Sequence, residues 1–119
     1  MNTYDQAYEL ANAIKECDEM KRLKAAAEKI KNNSEACKMV REYMTAQMKA
    51  DYAKMAGQKE DDETYRHLQE LAVLVSNSGE AQEYLQALIR WQQIAGDLQK
   101  IVSEAMVQGM DVLELDKNE

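Results

Sequence analysis

The chain has 119 residues, room for a single domain, and contains no Pro, no Phe and only four Gly. Ala, Glu, Lys, Gln, Leu and Met dominate; these are good helix formers, and their prevalence excludes a sheet-based fold. A formal net charge of −7 argues against phosphate backbones and anionic membrane surfaces, so neither direct nucleic-acid binding nor membrane binding is expected.

Tyr4, Ala7, Tyr8, Ala11 and Ile14 recur at helical spacing and predict a first helix over about 3–16. Asp18 is the expected cap of a second helix over about 19–31, with Met20, Leu23, Ala27 and Ile30 as its apolar stripe. Lys21, Arg22, Lys24, Lys29 and Lys31 make a small basic patch there, read as a solvated helix face. Each of these short helices must lean on something larger.

Asn32, Asn33 and Ser34 break the pattern, with Ser34 as the expected N-cap of a third helix over about 35–56. Val40, Met44, Met48, Tyr52 and Met55 line one side of it, with Cys37 and Tyr43 beside them. Gly57 ends it as a C-terminal cap. The polar run GQKEDDE over 57–63 leads into a fourth helix carried by Tyr65, Leu68, Leu71, Ala72 and Val75 to about residue 76. Asn77-Ser78-Gly79 is the next break.

The fifth helix, about 80–107, is the longest. Tyr84, Leu88, Trp91, Ala95, Leu98, Val102 and Ala105 alternate steps of four and three, the seam of a coiled coil, with Leu85, Ile94 and Ile101 widening one flank. Gly96 interrupts it at a cost of about 1 kcal/mol relative to Ala, which marks a close helix–helix approach. The short breaks predict that helices three, four and five lie as antiparallel neighbours. The expected fold is therefore all-α, an elongated antiparallel bundle of about five helices with a long central hairpin and two short N-terminal helices. Residues 1–108 form the single domain, and 109–119 an acidic, frayed tail from which Val112, Leu113 and Leu115 can dock back.

Catalytic and metal chemistry find little support. His67 is the only histidine; Glu63 and Glu70 share its helix face, yet two carboxylates and one imidazole are common on exposed helices, and no second histidine joins them. Asp61, Asp62 and Glu63 sit at a helix start, where the helix dipole accounts for them better than acid–base chemistry does. Ser34, Ser76, Ser78 and Ser103 have no histidine beside them in any motif. Cys17 and Cys37 form no CxxC pair, and two thiols cannot complete a four-ligand site. No catalytic, cofactor or metal residue is assigned, and the chain is expected not to be an enzyme. Residues 1–16 lack the basic start and apolar run of a secretion signal, and no stretch approaches the roughly 20 apolar residues of a membrane span. The cytoplasm, with both thiols reduced, is the expected location.

The methionines of the third helix, Met39, Met44, Met48 and Met55, read either as ordinary core or as an adaptable contact surface, because Met repacks around varied partners, and Trp91, mid-seam, reads either as core or as an interface anchor, a role in which Trp is enriched. Met44, Met48, Tyr52, Met55, Tyr84, Leu88, Trp91 and Leu98 are accordingly the expected partner or dimer interface.

Three pieces of the chain carry a resemblance: YDQAYELANAIKE at 4–16, REYMTAQMKADYAKMAGQ at 41–58 and EYLQALIRWQQIAGDLQKIVSEAM at 83–106. With the linking LQELAVLVSNS they span nearly the whole chain, and in order and spacing they resemble the YlbF/YmcA family of small helical bacterial proteins, which includes YheA-like members. The loop after Gly57 lacks the Glu-Ile-Pro-like turn of many members, Ser78 stands where Pro is common, and the tail holds none of the cysteines found in some. The resemblance implies a regulatory interaction subunit, of the kind that influences RNA processing, competence, sporulation and biofilm formation. Helices three to five carry apolar stripes wider than one antiparallel hairpin needs, so the chain itself, as a homodimer or higher oligomer, is an expected partner; other family members and RNA-processing proteins are the further partners the resemblance suggests. The alternatives are a structural homo-oligomer and, last, a metal-binding helical protein.

Overall fold

The structure, a computed structural model, describes residues 2–59 and 62–113, apart from the side chains of Asp111 and Leu113. Glu60, Asp61 and residues 114–119, Leu115 among them, lie outside the described residues. Five α-helices follow in order: α1 (Thr3–Glu16), α2 (Asp18–Lys31), α3 (Ser34–Met55), α4 (Asp62–Ser76) and α5 (Gly79–Met106). A short 3-10 helix over Gln108–Leu113 follows α5, and its described side chains are exposed. No strand occurs among the described residues, and the fold is all-α.

The helix ends follow from local chemistry. Asn2 Oδ1 accepts from the Asp5 N–H at 2.9 Å, and Ser78 Oγ accepts from the Ala81 N–H at 3.4 Å, each satisfying a donor that its helix leaves unpaired. Two expected caps move by one residue. Asn33, not Ser34, caps α3, its Oδ1 accepting from the Ala36 N–H at 3.1 Å. Cys17, with extended backbone, precedes α2, so Asp18 lies inside the first turn and serves the helix dipole instead. Gly57 adopts φ 75°, and the pair Gly57 N–H to Lys54 O and Gln58 N–H to Ala53 O closes α3 in a Schellman motif.

α3 and α4 run antiparallel: Ala46 and Lys49 face His67, Glu63 and Thr64 across one cleft. α5 takes α2, rather than α4, as its main antiparallel neighbour. Lys29 meets Glu83, Asn33 meets Glu80, and Arg22 and Ala25 share a cleft with Ala87 and Arg90. The expectation that the short 77–79 break keeps α4 and α5 side by side is thus corrected. They meet where one ends and the other begins, because α5 turns away to lie along α2.

The two helix pairs join at a single junction. Ile30 from the end of α2, Ala36 and Val40 from the start of α3, Val75 from the end of α4, and Ala81 and Leu85 from the start of α5 form its buried cluster. Ala50 and Leu71 extend the α3–α4 contact, and Ala26 the α2–α5 contact. No polar or charged residue is buried among those described. α1 touches only α2 and buries none of its own residues; Tyr4 and Tyr8 stand in solvent.

The result is a flat, open molecule of 49 × 39 × 15 Å. Its radius of gyration is 18.7 Å, where a compact chain of this length has about 13–14 Å. Its accessible surface is 9742 Å², against about 6,600 Å² for a compact monomer of 13.6 kDa.

Candidate protein-docking groove

From the junction, α3 and α5 diverge and leave a groove between them. Tyr43, Met44, Gln47, Met48 and Asp51 of α3 face Leu85, Leu88, Ile89 and Gln92 of α5 across a cleft of about 340 Å³. An adjoining cleft of about 270 Å³ is lined by Ile30, Cys37, Val40, Arg41, Met44, Thr45, Met48 and Tyr84. Met44 and Met48 belong to both, so the two clefts form one surface with the methionines as its ridge.

The helical period explains the lining. Met44, Met48, Tyr52 and Met55 recur at steps of four, four and three and fall on one stripe of α3. Met44 is half-buried near the junction, and exposure then rises outward along the arm: 64% at Met48, 75% at Tyr52 and 88% at Met55. On α5, Leu85, Ile89, Gln92 and Gly96 share the groove-facing stripe by the same arithmetic. Leu85 is buried, while Ile89 one turn on is 62% exposed. The polar groups of the α3 wall are paired with each other. Tyr43 Oη donates to Gln47 Oε1 at 3.4 Å, and Gln47 Nε2 donates to Asp51 Oδ1 at 3.1 Å.

Of the eight residues expected at an interface, the structure gathers Met44, Met48, Tyr84 and Leu88 in the groove. Tyr52 and Met55 continue its α3 wall into solvent. Trp91 and Leu98 are half-buried farther along α5. Trp91 lies one turn beyond Ala87, which faces Arg22 and Ala25, so it sits on the α2 side of α5. Val102 and Ala105, the end of the predicted seam, are exposed. Ile89 was not singled out in the sequence; its place four residues after Leu85, on the flank of the seam, is the signal that finds it.

The remaining candidates stay apart from the groove or bring no ligand set to it. His67 is exposed and lines the open α3–α4 cleft with Lys49 and Glu63. Among the described residues no three His, Cys, Asp or Glu side chains are placed to hold a metal ion. Cys17 and Cys37 are half-buried free thiols, and Arg41 Nη2 donates to Cys37 Sγ at 3.6 Å. No helix among the described residues is long and apolar enough to cross a membrane.

The family model described as "Control of competence regulator ComK, YlbF/YmcA" matches residues 3–107. A UPF0342 protein of Caldicellulosiruptor saccharolyticus is 37% identical over 105 residues, 88% of each chain. One from Clostridium tetani is 34% identical over 106 residues, 89% of this chain and 91% of its own. One from Desulfitobacterium hafniense is 33% identical over 115 residues, covering 97% and 90%. The match runs from the start of α1 to the end of α5 and takes in both walls of the groove: the chain belongs to the YlbF/YmcA family.

Proposed function

We propose that the chain is a non-catalytic regulatory subunit that works by docking its helices against other proteins, in the manner that its family's description as a control of competence regulator suggests. The observation that supports this reading best is the α3–α5 groove. It is apolar, open, walled by methionines and continued by Tyr52 and Met55 into solvent. A chain that exposes such a run of large apolar side chains is built to have it covered. Met walls suit partners of more than one shape. Partners are sought among other family members and RNA-processing proteins, with the cytoplasm as the site of action and competence, sporulation and biofilm formation as the processes affected.

The test is genetic and biochemical together. Deleting the gene in its own bacterium should change competence gene expression, wild-type chain should restore it, and Met44→Glu should not, although the variant remains helical. Affinity capture with the wild-type chain should recover a protein that the Met44→Glu chain loses. A deletion without phenotype, together with identical captures by both chains, would sink the reading.

A further inference from the structure

We propose that the cleft between α2 and α5 is an anion site, and that it holds phosphate, free or as a monoester on a small molecule, between the guanidinium groups of Arg22 and Arg90. The cleft lies on the opposite flank of α5 from the α3–α5 groove, and the proposal does not depend on the docking reading.

The first observation is register. Lys29 of α2 pairs with Glu83 of α5, its Nζ 3.0 Å from Oε1. Seven residues back along α2 and seven forward along the antiparallel α5 is about two turns of each helix, a rise of about 10 Å. That step takes Lys29 to Arg22 and Glu83 to Arg90, and these two line one cleft. Opposite charges at one level of the contact thus give way to like charges at the next. Like charges set against each other across a helix contact oppose it, whereas a single Glu at either position would have repeated the Lys29–Glu83 pair. The second observation is that neither guanidinium has a partner of its own. Among the described residues neither the Arg22 nor the Arg90 side chain makes an ion pair or a hydrogen bond. Glu83, the one carboxylate in the lining, has both oxygens on Lys29 Nζ, at 3.0 Å and 3.2 Å.

The third observation is room. Ala25 and Ala87 complete the lining, and their small side chains leave a cleft of about 360 Å³, a size in the range of small-molecule sites. Gln86, one turn before Arg90 on α5, adds an amide donor at the same cleft. The two walls select the ligand. A carboxylate has two oxygens in one plane and is satisfied by a single guanidinium fork. A phosphate monoester spreads three acceptor oxygens about a tetrahedral centre and carries up to two negative charges, so it accepts from both walls and neutralises both. The net charge of −7 repels polyanions and anionic membrane surfaces, which favours a small phosphate over nucleic acid or lipid. Once bound, it draws α2 and α5 together at the level where their charges repel.

The test uses the full chain with inorganic phosphate, adenosine monophosphate and acetate as probes, at matched ionic strength in chloride. Both phosphates should shift their phosphorus NMR signals on addition of protein and raise its melting temperature, and acetate should leave that temperature where chloride does. A stronger response to adenosine monophosphate marks a monoester as the ligand, and an equal one marks the free ion; either supports the site. Arg22→Gln and Arg90→Gln should each weaken phosphate binding at least about tenfold with the far-UV helical signal retained. Lys54→Gln removes one positive charge at the far end of α3 and should leave binding unchanged. If a Gln variant unfolds, Arg22→Lys and Arg90→Lys are read instead; they keep the charge, lose the fork and should still weaken binding. In chloride alone, Arg90→Glu should raise the melting temperature, because it restores opposite charges at that level of the contact. No response to either phosphate overturns the proposal, as does an equal response to acetate. So does phosphate binding that survives both arginine substitutions, or a melting temperature that Arg90→Glu lowers, which would mean that the two side chains do not oppose each other.

Discussion

Lys29 and Glu83, 54 residues apart, meet across the α2–α5 contact, with Lys29 Nζ 3.0 Å from Oε1 and 3.2 Å from Oε2 of the same carboxylate. The two ends of the bridge are 52% and 49% exposed. A pair that open to water contributes about 0.2–1 kcal/mol, because each long side chain loses freedom and the attraction is screened. A double-mutant cycle with Lys29→Ala and Glu83→Ala should return a coupling in that range. In about 1 M salt, where the Debye length falls to about 3 Å, it should shrink towards zero. A coupling well above that range that survives salt would mean the pair is shielded in solution.

Asn33 carries two jobs at the same junction. Its Oδ1 caps α3 through Ala36, and its Nδ2 donates to Glu80 Oε1 at 2.8 Å, at the start of α5. Asn33→Ala should cost about 1–3 kcal/mol, since it removes both a cap and a charge-assisted bond. Asn33→Asp keeps a good capping acceptor but loses the donor, and should recover only part of that loss. An Asn33→Asp protein as stable as wild type by urea unfolding would show that the Glu80 contact contributes nothing.

Two glycines should respond with opposite signs. Gly57 sits at φ 75°, a conformation that costs an L-residue about 1–2 kcal/mol, so Gly57→Ala should destabilise by about that amount. Gly96 has an ordinary helical backbone and open space around it. Gly96→Ala should raise the stability of the isolated chain by up to about 1 kcal/mol, read at concentrations low enough to dissociate any assembly. A loss of stability there would mean a neighbour within the chain was already using the space.

Within the junction, Leu85 is the large buried side chain of α5. Leu85→Ala should cost about 2–5 kcal/mol. Met55→Ala, at a side chain 88% exposed, should cost the isolated chain under about 0.5 kcal/mol. Chemical denaturation of both variants at the same dilution checks the contrast, and similar losses would contradict the assignment of the core.

Trp91 tests the long helix. Were the ring fully buried, truncation would cost about 3–5 kcal/mol. It is half-buried, so Trp91→Ala should cost less than that range. Thermal melting and sedimentation of the same protein separate its roles. A lower melting point at every dilution places the ring against α2, whereas a change in mass alone places it at a partner.

How legible this molecule is from its sequence depends on distance along the chain. The helix bounds follow from signals a few residues long: Asn33-Ser34, Gly57 and Asn77-Ser78-Gly79 punctuate the chain, and the structure breaks at each of them. The choice of Asn33 over Ser34 as cap was not legible, because both residue types cap well and Asn33 also reaches Glu80, 47 residues away. The pairing of α5 with α2 was hidden for the same reason, since a short connection argues for α4 and only the junction's geometry overrules it. The α5 seam, carried back three residues from Tyr84, meets the buried Ala81, while the buried Leu85 stands one position off it on the flank, because the helix is wedged between α2 on one side and α3 on the other. A single heptad stripe cannot describe a helix with two buried flanks. The methionine wall was legible because its spacing is helical, while its role as one side of a groove needed the position of α5.

The double use of Asn33 makes the junction depend on the state of one amide. Its amide is followed by a small residue, Ser34, and asparagine is among the thermolabile side chains. Hydrolysis of that amide would leave a carboxylate that still caps α3 but turns a bond to Glu80 into a like-charge contact. Loss of that one amide would register where the two helix pairs are joined, as a loosening between them that leaves each pair formed.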